Sequence, residues 1–167
     1  MNAFRVLVLC TGNSARSQIG EALIATVGAS RSAGRVEAES AGSRPAARVN
    51  PYAVEVLAAH GLVWDGRVPK SIDDVAGQHF DLVITVCDNA RDACPFFPGA
   101  AAQVHWGLPD PADAATPEAA RRAFGDTFDT LQARVHALLA LPLERLSSSE
   151  LTERAAQIHQ THVMPAF

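Results

Sequence analysis

Short apolar runs alternate with longer amphipathic segments along this chain. The apolar runs predict four strands, at residues 4–9, 36–40, 81–87 and 101–106. After Ser17, apolar residues recur every four positions, as on one face of a helix. A second stripe of this kind follows residue 117. This order of strands and helices is typical of a parallel sheet flanked by helices.

Three helix starts carry capping signals. Asn50-Pro51 places a good cap residue before proline in the first helical position, and Gly61 is a natural stop for that helix. Thr116-Pro117 opens a long helix in the same way. Further on, Ser147-x-x-Glu150 is a capping-box pattern that predicts a short C-terminal helix.

Three loops are expected to meet at one edge of the sheet. Parallel sheets bind ligands at the carboxyl ends of their strands, where the strand order reverses. Cys10, Cys87 and the loop after Trp106 all follow such ends. We expect one domain over residues 1–167, with a candidate site at this edge.

Composition excludes several classes of function. The 167 residues carry a net charge of -4, which is unlike the basic patch of a nucleic-acid binder. No apolar stretch is long enough to span a bilayer and no signal peptide is seen, so we expect no membrane association and a cytoplasmic location. Three cysteines make an odd number, so a disulfide framework is not expected and the thiols are either chemically active or inert and buried.

The segment CTGNSARS, residues 10–17, has the features of an anion-binding loop. Its backbone N–H groups and the following helix N-terminus would attract an oxyanion and favour the thiolate of Cys10. Gly12 and Asn13 allow a tight curl, and Arg16 offers a planar fork of donors. The alternative is an inert, buried strand-end thiol. The predicted oxyanion-binding residues are Thr11, Gly12, Asn13, Ser14, Ala15, Arg16 and Ser17.

The sequence resembles the low-molecular-weight tyrosine phosphatase family, and specifically its thioredoxin-coupled arsenate reductase branch. The likeness rests on CTGNSARSQ, on Ser40-Ala41-Gly42, on Val86-Cys87-Asp88 and on His105-Trp106-Gly107 through Asp110-Pro111. It implies a three-layer fold with a four-stranded parallel sheet. It covers a core of residues 1–140 and leaves residues 141–167 as a C-terminal extension.

The resemblance also implies roles for individual residues. Cys10 would be the nucleophile, with Ser17 assisting its thiolate, and Asp110 would be the general acid, for which Asp113 is the fallback. A reductase must collect two electrons, so Cys87 and Cys94 would complete a three-thiol relay re-reduced by thioredoxin. The segment between them would have to rearrange, because a disulfide needs closely spaced Cα atoms. We expect arsenate or a phosphate-like oxyanion as substrate, a monomer, and no cofactor.

Departures from the phosphatase pattern favour the reductase. Tyrosine phosphatases of this fold usually have a second cysteine where Ala15 stands, and aromatic residues after the Asp-Pro, where Ala112-Asp113-Ala114 stand. Ala15 also replaces a cysteine common in the reductases, but that cysteine is outside the three-thiol relay. Some family members bind potassium beside the loop. Asn13, Glu21 and Ser40 match that site and leave room for a structural cation, although residues 70–72 depart from the pattern. Glu21 is otherwise read as an exposed helix residue.

Several alternatives stay open at this point. The runner-up activity is a tyrosine phosphatase acting through a Cys10 phosphocysteine, and weak phosphatase activity is expected in either case. A non-catalytic anion-binding module would need neither Asp110 nor the extra thiols. Cys87 and Cys94 could instead be inert core residues or half of a zinc site with His79 or His105. Glutaredoxin or a low-mass thiol could replace thioredoxin.

Overall fold

A four-stranded parallel sheet organises the protein. The computed structural model describes residues 2–93 and 95–164. The strands lie in the order β2-β1-β3-β4. They are β1 (Phe4–Cys10), β2 (Val36–Gly42), β3 (Phe80–Thr85) and β4 (Ala100–His105). The chain runs from β1 to one edge and returns to the other side of β1 at β3, so the strand order reverses between these two strands.

Among the described residues, five helices flank the sheet, which agrees with the fold class predicted from the sequence. They are α1 (Arg16–Ala29), α2 (Pro51–Ala59), α3 (Asp88–Ala93), α4 (Pro117–Leu139) and α5 (Ser148–Thr161). Helix α1 packs on β1 and β2 and contacts α4, while α5 packs along β4 at the sheet edge. Within residues 2–93 and 95–164, no helix is both long and apolar enough to cross a membrane.

The local signals in the sequence specify where helices begin. The Asn50 side chain accepts a hydrogen bond from the Tyr52 N–H, with Pro51 in the first turn of α2. The Thr116 hydroxyl caps α4 in the same way, and the capping box of Ser147 and Glu150 opens α5. These three predictions are confirmed.

The end of β3 differs from its prediction. The apolar run to residue 87 predicts a strand up to Cys87, but the strand ends at Thr85. Val86 still donates to the Leu9 carbonyl and accepts from the Leu108 N–H, so the apolar pattern continues beyond the regular ladder. The next residues then turn into the six-residue helix α3, for which the sequence carries no helical stripe.

The segment after α4 folds back onto the sheet. Trp106, at the end of β4, donates its indole N–H to the Ala155 carbonyl of α5 at 2.8 Å. Arg31 donates to the carbonyls of Leu139 and Leu141 and pairs with Glu144. The expected C-terminal extension is therefore packed against the core through residue 164, where Met164 is buried.

Candidate active site

The loop between β1 and α1 is held open by hydrogen bonds on its outer side. Four carbonyls of the loop accept N–H donors from residues 43–50, at 2.8 to 3.3 Å. In a trans peptide, the C=O of one residue and the N–H of the next point in opposite directions. The corresponding N–H groups therefore point into the loop, where they form an anion-binding nest. The carbonyls belong to Cys10, Thr11, Gly12 and Ser14, and the inward N–H groups to Thr11, Gly12, Asn13 and Ala15.

Asn13 fixes the curl of this loop. Its φ of 49° lies in the left-handed region, whereas Gly12 does not adopt a positive φ. The fully buried side chain donates to the hydroxyls of Ser17 and Ser40, both at 2.9 Å, and accepts from the Lys70 N–H at 2.9 Å. The conformational freedom expected of both Gly12 and Asn13 is thus used at Asn13 alone.

Gly42 allows β2 to approach the loop closely. A Cβ at this position would lie 2.4 Å from the Thr11 carbonyl oxygen and 2.9 Å from the Asn13 nitrogen. Only a residue without a side chain fits there. The end of β2 therefore forms one wall of the nest.

Cys10 lies at the base of the nest in a donor-rich setting. Its Sγ is 2.8 Å from the Ser17 Oγ and accepts the Asn13 N–H at 3.2 Å. The Ser17 Oγ already accepts a hydrogen bond from the Asn13 side-chain amide, so its own O–H can donate a hydrogen bond to the sulfur. The N-terminus of α1, at Arg16, adds partial positive charge. These groups converge on the sulfur, which is an arrangement that suits a nucleophile.

Arg16 and Asp110 meet above the nest. Arg16 donates from Nη1 to the Leu108 carbonyl at 2.8 Å, and its Nη2 is 3.6 Å from the Asp110 Oδ2. The longer distance exceeds a hydrogen bond, so Nη2 keeps its donors for a bound oxyanion. The other Asp110 oxygen accepts the Ala112 N–H and caps a short 3-10 helix, which fixes the carboxyl group.

Cys87 lies beside the same loop. Its Sγ is 3.3 Å from the Thr11 Oγ1, and Thr11 directly follows Cys10 in the chain. Both Cys10 and Cys87 are buried, free thiols. Two of the three predicted sulfurs are therefore brought to one edge of the sheet. Cys94, the third, lies outside the described residues.

Helix α3 begins immediately after Cys87 and has few buried contacts. Ala90 is its single buried residue, and its N–H donates to the Cys87 Sγ at 3.3 Å. Asp88 is 74% exposed and contacts His105 Nε2 at 3.0 Å. The other imidazole nitrogen of His105 bonds to the Thr85 hydroxyl. His105 thus fastens the first turn of α3 to the sheet.

Glu21 differs from its expected place. The sequence predicts an exposed residue in the first turn of the helix, but Glu21 is buried and lies in the second turn of α1. Its carboxylate accepts the Ser40 hydroxyl at 2.8 Å and lies 3.3 Å from Arg67. Burial raises the pKa of Glu21, against the lowering effect of Ser40 and Arg67.

The residues expected around a cation form one hydrogen-bond chain. Asn13 donates to Ser40, and Ser40 donates to Glu21, whose charge faces Arg67. In the described part of the chain, no group of three or more His, Cys, Asp or Glu residues could hold a metal ion. Arg67 itself carries no sequence signal for this position, because its contact with Glu21 is purely tertiary.

Gln18 and Trp64 also hold the loop in place, although no sequence motif indicates this role. Gln18 donates to the Asn13 carbonyl at 3.0 Å and accepts the Trp64 indole N–H at 2.8 Å. Arg67 stacks over the Trp64 ring at 3.9 Å. The segment of residues 61–70 therefore supports the nest through Trp64 and Gln18.

Comparisons with known proteins agree with this geometry. The family described as low molecular weight phosphotyrosine protein phosphatase matches residues 5–153. An arsenate reductase of Halalkalibacterium halodurans is 39% identical over 114 residues, which are 68% of this chain and 78% of that protein. An arsenate reductase of Bacillus subtilis is 34% identical over 119 residues, 71% of this chain and 82% of that protein.

Solved structures give the same result. A thioredoxin-dependent arsenate reductase of Corynebacterium glutamicum superposes with a TM-score of 0.65 at 28% identity, over 86% of this chain and 64% of that one. A low molecular weight protein tyrosine phosphatase of T. tengcongensis superposes with a TM-score of 0.67 at 22% identity, over 83% of this chain and 99% of that one. The second likeness concerns the fold alone.

Proposed function

Because the chain belongs to the low molecular weight phosphotyrosine protein phosphatase family, we propose that it is an arsenate reductase whose three cysteines pass electrons to arsenate, with thioredoxin restoring the thiols. The observation that carries the proposal is the second thiol beside the nest, with Cys87 Sγ 3.3 Å from Thr11 Oγ1. Hydrolysis of a phosphate ester needs no such thiol. Relatives named as arsenate reductases at 34 to 39% identity support the same substrate.

The first step is nucleophilic attack. The inward N–H groups and Arg16 bind the oxygens of arsenate, and the Cys10 thiolate attacks the arsenic. Asp110 donates a proton to the departing oxygen, which leaves as water. A Cys10 thiol-arsenate adduct, still at arsenic(V), remains in the nest.

The second step is the reduction itself. The Cys87 thiol attacks the Cys10 sulfur and its proton passes to the departing arsenite, so a disulfide forms and the sulfur–arsenic bond breaks. The electron pair of that bond stays on arsenic, which leaves as arsenite at oxidation state III. The two sulfurs have together supplied two electrons.

The third step moves the disulfide away from the nest. Cys94 attacks the sulfur of Cys87 and releases Cys10 as a thiolate, which leaves a Cys87–Cys94 disulfide for the dithiol of thioredoxin to reduce. The six residues of α3 advance the chain by about 9 Å at ~1.5 Å per residue. A disulfide needs Cα atoms roughly 4.4 to 6.8 Å apart, so α3 must unwind for this step. Its sparse burial keeps the cost of unwinding low.

Phosphatase activity is the second candidate function. The family description favours it, and the nest, Arg16 and Asp110 would serve a phosphate ester as well as arsenate. The loop after Asp110 presents Ala112 and Ala114, so nothing in it stacks on an aromatic ring. We therefore expect only weak hydrolysis of aryl phosphates.

A Cys94→Ser variant tests the relay. It should reduce at most about one arsenate per enzyme, because the Cys10–Cys87 disulfide cannot be transferred. It should hydrolyse p-nitrophenyl phosphate at the wild-type rate, since Cys94 has no part in that reaction. A Cys10→Ser variant should lose both activities.

Two controls sharpen this experiment. Disulfide mapping after one turnover should find Cys10–Cys87 in the Cys94→Ser variant and Cys87–Cys94 in the wild type. Replacing thioredoxin by glutaredoxin identifies the electron donor. Continued thioredoxin-dependent turnover by Cys94→Ser would contradict the role of Cys94 in the relay. Failure of the wild type to reduce arsenate with either donor would leave the phosphatase as the better assignment.

A further inference from the structure

Arg134 is a buried arginine without a carboxylate partner in the described part of the chain. It lies on α4, and only 1% of its surface is exposed. No Asp or Glu oxygen among residues 2–93 and 95–164 approaches it within ion-pair distance. Burial lowers its pKa to about 10, so it remains charged at neutral pH. A buried charge is costly unless hydrogen bonds compensate for its lost hydration, so the groups that bind Arg134 must stabilise it.

Those partners are backbone carbonyls from two distant segments. Arg134 donates from Nε to the His162 carbonyl at 2.9 Å, directly after α5. Its Nη1 donates to the Trp106 carbonyl at 3.1 Å and approaches the Gly107 carbonyl at 3.5 Å. One guanidinium therefore ties the C-terminal end of α5 to the loop that follows β4.

That loop holds the oxyanion-binding arginine. Leu108, the next residue after Gly107, accepts Nη1 of Arg16 at 2.8 Å, and Asp110 lies 3.6 Å from the same guanidinium. Only one peptide unit separates the carbonyl of Gly107 from that of Leu108. A displacement of the loop at Gly107 therefore moves the acceptor that orients Arg16.

We propose that Arg134 is a positioning residue for oxyanion binding. It acts through residues 106–110, which it holds in the arrangement that aims Arg16 at the nest. The C-terminal segment takes part in the same task, because Trp106 also donates to the Ala155 carbonyl of α5. This inference rests on the proposed function only to the extent that the nest and Arg16 bind a tetrahedral oxyanion.

Arg134→Met tests this role, since methionine keeps much of the apolar stem but has no donors. Inorganic phosphate is the probe, titrated by calorimetry into the full-length, reduced protein. We expect the variant to bind phosphate roughly tenfold more weakly, which corresponds to about 1.4 kcal/mol. Wild-type affinity in the folded variant would overturn the proposal.

Arg31→Met is the matched control. Arg31 also donates to two carbonyls near the C-terminal segment, those of Leu139 and Leu141, but none of its hydrogen bonds in the described chain reaches residues 106–110. This variant should lose stability while its phosphate affinity stays within about twofold of the wild type. An equal loss of phosphate affinity in both variants would mean that Arg134 merely stabilises the fold.

A double-mutant cycle identifies Arg16 as the intermediary. In an Arg16→Lys background, Arg134→Met should weaken phosphate binding by less than about twofold, because the group that it positions is already gone. If Arg134→Met weakened phosphate binding as much in the Arg16→Lys background as in the wild type, the positioning role of Arg134 would be overturned. If Arg16→Lys alone leaves phosphate binding unchanged, the proposed function fails, and this role fails with it.

Arg134→Lys covers the case in which the methionine variant does not fold. Lysine keeps the charge, but its single ammonium cannot hold both the His162 and the Trp106 carbonyls in the same way. We expect this variant to fold and to bind phosphate about threefold more weakly. Unchanged affinity in Arg134→Lys would overturn the proposal.

Discussion

Substituting Gly42 by alanine should distort the nest, although Gly42 itself lies on β2 and outside the loop. The new Cβ would lie 2.4 Å from the Thr11 carbonyl oxygen, and an ordinary contact needs about 1 Å more. The other neighbour, the Asn13 nitrogen at 2.9 Å, is also backbone, so no flexible side chain can absorb the overlap. Either β2 moves away or the loop is displaced.

The size of the effect follows from this displacement. Overpacking of a rigid region costs about 1 to 3 kcal/mol of the free energy of unfolding. A shift of about 1 Å in groups that bind the reacting centre can lower the rate about 100-fold. We therefore expect Gly42→Ala to lose about two orders of magnitude in kcat/KM for p-nitrophenyl phosphate, with phosphate affinity reduced as well.

Gly12→Ala is the matched control, because it is the glycine that the sequence motif makes most conspicuous. Its Cβ would lie 3.7 and 3.8 Å from the Cβ atoms of Ser14 and Ala46, which are ordinary contacts, and its φ is not positive. Stability should change by no more than about 0.5 kcal/mol. Steady-state kinetics and urea unfolding of both variants provide the test. If Gly12→Ala were as damaging as Gly42→Ala, the steric argument would be refuted.

The remaining predictions concern the thiols and the histidines. Ser17→Ala removes the hydroxyl 2.8 Å from the Cys10 sulfur, so iodoacetamide should alkylate Cys10 roughly tenfold more slowly at neutral pH; an unchanged rate would show that the hydroxyl does not assist this sulfur. His105→Ala removes the contact with Asp88 that holds α3 on the sheet. In a protein that keeps Cys87 as its sole thiol, this change should speed alkylation of Cys87 about two- to fivefold. His79→Ala, which breaks a similar His–Asp contact at Asp81, should have no effect. Burial and neighbouring positive charge lower the pKa of His159 below 6.5, so the folded state binds fewer protons than the unfolded state in that range. The free energy of unfolding should therefore fall as the pH drops below about 6.5, and His159→Gln should flatten this dependence in urea titrations.

Features that depend on neighbouring residues could be predicted from the sequence. The caps at Asn50, Thr116 and Ser147 bond to N–H groups two or three residues away, so their signals lie within one turn. The apolar run at residues 4–9 predicts a buried strand, and residues 6–9 of β1 are buried. The strand-loop-helix context of CTGNSARS likewise places a thiol and an arginine around a nest.

Tertiary structure alone decided what supports that nest. Asn13 is 27 residues from Ser40 and 57 from Lys70, and Arg16 is 92 residues from Leu108. No pattern along the chain records such pairings, since they depend on the strand order β2-β1-β3-β4. For the same reason Glu21 reads as an exposed helix residue but is buried against Ser40.

The loop, the caps and the strands can therefore be predicted from the sequence, because they depend on interactions between residues that are close together in the chain. The burial of Arg134 and the fit of Gly42 against Thr11 arise only when segments remote in sequence are packed together. In a closely packed interior, these contacts are determined by the volumes of the groups and by their hydrogen-bonding capacity. The groups are far apart in the chain, so no local sequence pattern indicates that they will meet.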